Sequence, residues 1–155
     1  MTVAGLLGRL PIVRLEPISV PGVAKILIVD DDDDYRASLR ALLEGEGYKV
    51  VEAATGSEGL AVARDQHPKL IVLDVHLDHL GEGYSINQAL KCSENYGDLR
   101  DVPVIMASSV EADPASLFGW VGDTKPITPD AYMTKPLDIP KFLQRVQELL
   151  ERRGV

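Results

Sequence analysis

Ile26-Leu27-Ile28-Val29-Asp30-Asp31-Asp32-Asp33-Asp34 is the stretch on which the reading of the chain turns. The four apolar residues have the length and β-branched character of a strand buried on both faces. Five aspartates follow without a break. Two like charges about 4 Å apart at an effective dielectric near 20 repel by roughly 4 kcal/mol. Such a cluster is therefore either well solvated or neutralised by a cation. In an open parallel sheet, the carboxyl ends of strands are where ligands bind. A solvated, acidic helix start explains the run equally well in isolation, and a second acidic position decides between the two.

That position is Asp74, at the end of Leu70-Ile71-Val72-Leu73. Between the two runs, Asp33 to about Glu44 reads as a helix with Leu39, Leu42 and Leu43 on one face, ended by Gly45 and Gly47. Lys49–Ala53 reads as a second strand. Thr55 and Glu58 have capping-box spacing and open a helix to about Gln66, with Pro68 beyond it. After Asp74, a loop holding Gly81 and Gly83 leads to Ser85 and Gln88, whose spacing predicts a helix to about Glu94. Val104–Ala107 is a fourth strand, ending on Ser108 and Ser109. Asp113-Pro114 opens a short helix through about Val121. Ala131–Thr134 is a fifth strand, followed by Lys135-Pro136. Asp138 caps a last helix carrying Phe142, Leu143, Val146, Leu149 and Leu150 at helical spacing.

Repeated strand–helix units with nearly all-apolar strands predict an α/β fold. Its core is a five-stranded parallel sheet with helices on both faces. The pattern covers residues 25–155 as one domain. Residues 1–24, broken by Pro11, Pro17 and Pro21, form an extension, either a mobile tail or an edge arm. No output domain fits after Arg153, so a single-domain protein is expected.

The chain has 155 residues and a net charge of −8, which argues against direct nucleic-acid binding. One cysteine, Cys92, excludes an internal disulfide and a Cys/His metal framework. No apolar stretch approaches the roughly 20 residues of a membrane span, and the amino terminus is a poor signal peptide. A cytoplasmic location follows by default.

A parallel sheet puts Asp30, Asp31, Asp74, Ser108 and Lys135 on one rim. Together they suit phosphoryl transfer to a carboxylate, with Asp74 as nucleophile. Carboxylate and phosphoryl oxygens are both anionic, so a cation is required. Mg2+, with its preference for oxygen ligands, is the natural choice. Asp31 and Asp74 are the expected direct ligands, with Asp30 acting through water and the His76 main-chain carbonyl completing the set. Lys135 would hold one phosphoryl oxygen and Ser108 another. Ser109 is small enough to leave the phosphoryl group room.

The pieces Ile26–Asp31, Leu70–Val75, Pro103–Ser109 and Tyr132–Pro136, in this order and spacing, resemble the receiver domain of bacterial two-component response regulators. The resemblance implies a doubly wound, flavodoxin-like five-stranded fold and phosphorylation of Asp74 by a sensor histidine kinase or a phosphotransfer protein. It implies no separate substrate, the protein catalysing only its own phosphorylation and dephosphorylation. It also implies a switch: Ser108 moves toward the phosphoryl group and Tyr132 turns inward. The surface of the fourth helix, fifth strand and fifth helix then changes toward a downstream target protein or in a homodimer.

Several positions depart from the family pattern. Asp78 stands where a proline is usual, and Ser108 replaces the more frequent threonine. His76 occupies a position where side chains of the family influence acyl-phosphate hydrolysis, and it is either a bystander or a guide for the attacking water. The stretch from Ser108 to Lys135 is longer than usual and contains Trp120. Lys125 lacks a preceding strand, so Lys135 is the expected site lysine. Asp30-x-Asp32 and Asp74-Val75-His76 faintly resemble haloacid-dehalogenase-like phosphatases and cobalamin-binding domains. In each case the next motif position is wrong: Asp34 in the first and His79 in the second. The stronger alternative is a receiver-fold interaction module that no longer switches by phosphorylation.

Overall fold

The computed structural model describes residues 23–77, 82–109 and 127–154. Most of the predicted extension, the loop around Asp78, the helix expected from Asp113, Trp120 and Lys125 lie outside the described residues. Five strands run in chain order: β1 (Lys25–Val29), β2 (Lys49–Ala53), β3 (Leu70–Asp74), β4 (Val104–Ser108) and β5 (Ala131–Thr134). They form one parallel sheet in the order β2-β1-β3-β4-β5. This is the doubly wound arrangement that the resemblance implies.

Alternate strand residues feed two cores, because successive side chains point to opposite faces. On one face, Ile26, Ile28, Leu70, Val72 and Ile105 meet Leu39 and Leu43 of helix α1 (Asp33–Gly45). The same cluster takes Phe142, Val146, Leu149 and Leu150 from the C-terminal helix (Ile139–Arg152). On the other face, Leu27, Val29, Ile71, Leu73, Val104 and Met106 meet Ala63 of α2 (Gly56–Gln66). Ile86 and Leu90 of α3 (Glu82–Cys92) close that side.

The acidic run divides at the start of α1. Asp32 is the N-cap, accepting hydrogen bonds from the N–H groups of Asp34 and Tyr35. Asp33 and Asp34 occupy the first turn, where the helix dipole favours negative charge. Asp30 stays with the sheet, buried and bonded through its N–H to the Ala53 carbonyl at 3.1 Å. At α2 the Glu58 N–H donates to Thr55 Oγ1, and the Glu58 carboxylate reaches back to the Ala54 N–H.

Helix α3 corrects one expectation. It begins at Glu82, three positions before the predicted start, and Ser85 lies exposed within it. The reason is packing. The Gly83 N–H donates to the Val75 carbonyl at 3.0 Å, pulling the first turn against the end of β3. A short 3-10 turn (Glu94–Leu99), which the sequence pattern did not mark, carries buried Leu99 into the core.

Candidate functional site

Register brings the site together. Val29 pairs with Leu73, so Asp30, one residue on, stands level with Asp74. Asp74 pairs in turn with Ala107, and Ser108 pairs with Thr134. The Lys135 N–H then donates to the Ser108 carbonyl at 2.7 Å. This bond carries the β4–β5 pairing one residue past Thr134, and Lys135-Pro136 is a cis peptide. Each functional side chain thus leaves the end of a strand whose position is set by backbone pairing.

Asp30, Asp31 and Asp74 each offer a carboxylate oxygen, and the three oxygens lie within 4.8 Å of one another. Asp30 and Asp74 are buried and Asp31 is exposed, which leaves an open side. The Lys135 ammonium stands 2.7 Å from Asp30 Oδ2 and 3.4 Å from Asp74 Oδ1. Asp30 Oδ1 accepts the Asp32 N–H at 2.9 Å, and Asp74 Oδ1 accepts the His76 N–H at 3.3 Å. Ser108 is fully buried at the neighbouring strand end, and Ser109 is exposed. Tyr132 is half-buried in β5, and its hydroxyl is enclosed without a hydrogen-bond partner.

One ammonium does not balance three carboxylates. Burial, followed by the charge of Asp30, pushes the Asp74 carboxyl above its ordinary range. Lys135 and the His76 N–H oppose that rise. An all-oxygen set of three carboxylates with one open side matches the preference of a hard divalent cation for oxygen ligands and retained waters. The residues present fit the ion.

Three contributors were not legible in the sequence. The Arg36 guanidinium donates to the Asp30 main-chain oxygen at 2.6 Å and pairs with Asp33 and Glu52, tying the acidic strand end to β2. Only the Asp33–Arg36 helical spacing hints at this. The Tyr35 ring lies over the Lys135 ammonium, 4.1 Å from its centroid. Gly83 packs so tightly on the end of β3 that a Cβ there would collide with the Asp74 carbonyl oxygen and with Val75 Cα. Gly83→Ala is expected to cost about 1–3 kcal/mol, the range for overpacking a filled site. Chemical denaturation would measure it, and an unchanged midpoint would show that α3 moves aside freely.

Among the described residues, no helix is long and apolar enough to cross a membrane. A family model described as the response regulator receiver domain matches residues 26–147. The transcriptional regulatory protein PrrA of Mycobacterium tuberculosis is 35% identical over 130 residues. That match takes in 84% of this chain and 51% of PrrA, so the chain spans about half the length of that relative. The polar-differentiation response regulator DivK of Brucella suis is 30% identical over 128 residues, 81% of this chain and 94% of DivK. Among solved structures, a CheY-like receiver domain protein from Methanospirillum hungatei superposes with a TM-score of 0.69 at 28% identity. The alignment covers 86% of this chain and 98% of that one. With its sheet order, its acidic triad and Lys135 in place, the chain belongs to the response regulator receiver domain family and is a phosphoacceptor of two-component signalling.

Proposed function

We propose that Asp74 is the residue phosphorylated, by a sensor histidine kinase or a phosphotransfer protein. The observation that carries this is the Lys135 ammonium between Asp30 and Asp74, 2.7 and 3.4 Å from their oxygens, beside exposed Asp31. Transfer breaks the P–N bond of the donor phosphohistidine and forms a P–O bond to the Asp74 carboxylate. The leaving imidazole takes its proton from solvent.

Asp31 and Asp74 would hold Mg2+ directly, with Asp30 through water and the His76 carbonyl completing the set. The ion supplies charge neutralisation between carboxylate and phosphoryl oxygens. Lys135 moves from Asp74 to a phosphoryl oxygen, and the Ser108 hydroxyl bonds another. The enclosed, unpartnered Tyr132 hydroxyl supports its part in a switch that changes a docking surface for a downstream protein. Beside Lys135, a groove of about 560 Å³ lined by Leu39, Leu42, Leu137 and Ile139 offers the phosphodonor an apolar seat.

Magnesium binding is separable from phosphorylation. Saturation at about 100 times Kd is expected to stabilise the fold by roughly 2.7 kcal/mol. Asp31→Asn should lose most of that gain. A melting temperature in wild type that ignores magnesium would remove the ion from this site. Phosphorylation itself is tested by incubation with acetyl phosphate and magnesium, followed by intact mass measurement. One added phosphoryl group is expected; no addition there, nor from any histidine kinase tried, would favour a non-switching interaction module.

A further inference from the structure

The Tyr35 ring and the Lys135 ammonium come from opposite ends of the chain. Tyr35 is in the first turn of α1, fixed there by the hydrogen bond from its N–H to the Asp32 N-cap at 3.1 Å. Its ring stands 4.1 Å from Lys135 Nζ, and it lines the groove beside Lys135 with Leu39, Leu42 and Leu137. The ammonium thus has carboxylates on one side and an aromatic face against it as well. A cation within about 6 Å of a ring centroid is attracted by the ring quadrupole, more strongly when shielded from water.

We propose that Tyr35 is a positioning residue, which holds the Lys135 ammonium against the acid cluster through its ring face. A lysine ends a flexible four-carbon stem. During transfer the ammonium must exchange its Asp74 contact for a phosphoryl oxygen. The ring, anchored by the helix cap, limits its swing away from the rim during that exchange. The Tyr35 hydroxyl is buried without a hydrogen-bond partner, so the ring face rather than the hydroxyl is what the site uses. Burial, then Asp30 and Asp74, push the phenol above its ordinary range and keep the ring neutral beside the acids. The last of the five aspartate roles follows: the Asp32 cap orients the residue that covers the site lysine.

The proposal rests on Asp74 being the acceptor for its kinetic part only. Two double-mutant cycles on the full chain test it, with Tyr35→Leu, Lys135→Met and the pair. In the first, acetyl phosphate with magnesium gives the phosphorylation rate. Tyr35→Leu should slow it about tenfold, Tyr35→Phe should stay within about twofold of wild type, and Tyr35→Leu should add nothing in the Lys135→Met background. The second cycle reads the unfolding equilibrium by urea, without phosphodonor, and should show a coupling of about fivefold between the two positions. Additive effects in the urea cycle would overturn the contact. A Tyr35→Leu rate equal to wild type, or Tyr35→Phe as slow as Tyr35→Leu, would overturn the positioning role. If wild type takes up no phosphoryl group from acetyl phosphate or from any histidine kinase tried, the acceptor reading fails, and the urea cycle still decides whether Tyr35 holds Lys135.

Discussion

Asp74→Asn is expected to take up no phosphoryl group while folding more stably than wild type without magnesium. The first effect is chemical. An amide oxygen is a poor nucleophile, and neither Asp30, held by Lys135 and the Asp32 N–H, nor exposed Asp31 replaces it. The second effect is electrostatic. Asp74 sits buried beside Asp30, and its carboxyl is pushed up in the folded chain, burial being the larger cause. A raised carboxyl binds its proton more tightly in the folded state than in the unfolded one. Its stabilising contribution is therefore full below the unfolded value of about 3.9 and is lost as pH rises through the folded value. At pH 7 the ionised wild type carries that cost and asparagine does not. A gain of roughly 1 kcal/mol, or about 2–4 °C in melting temperature, is expected for a chain of this size. It should shrink as pH falls toward about 4 and also when magnesium is added to both proteins. Equal melting at pH 7 in metal-free buffer would mean the acids do not strain the site.

Lys135→Met separates the lysine's two roles. It removes the cation paired with Asp30 and Asp74, leaving two buried carboxylates without it. Breaking a buried pair costs about 3–5 kcal/mol, and the partial exposure of Lys135 reduces that to about 2 kcal/mol here. Magnesium should recover much of this loss, because it neutralises the same acids. The phosphorylation rate should not recover. Removing a donor aimed at developing transition-state charge typically slows a reaction by about 10²–10³, and a divalent ion held by the acids would not supply that donor. Stopped-flow phosphorylation at saturating magnesium would read this directly. A rate within a few-fold of wild type would show that Lys135 is structural.

The strands and the residues at their ends were legible because a sheet buried on both faces demands continuous apolar runs, and polar residues at the ends of such runs stand out. Asp30, Asp74, Ser108 and Lys135 were visible for that reason, and the structure brings them to one rim. Register was not legible. It places Asp30 level with Asp74, and it comes from pairing between runs more than forty residues apart. The start of α3 was misread because Ser85 has capping spacing, whereas the true start is set by Gly83 touching the backbone of Asp74 and Val75. Tyr35 and Arg36 looked like ordinary first-turn helix residues. Their contacts with Lys135 and with the Asp30 carbonyl exist only once α1 is laid against the sheet.

Borohydride reduction after acetyl phosphate treatment, followed by peptide mapping, locates the acceptor directly. Hydride cleaves an acyl phosphate to the corresponding alcohol, so a phosphorylated aspartate is marked as homoserine. The expected result is homoserine at position 74 alone, dependent on magnesium and absent from Asp74→Asn. Homoserine at position 30 or 31, or none in a folded protein exposed to magnesium and phosphodonor, would contradict Asp74 as the phosphoacceptor.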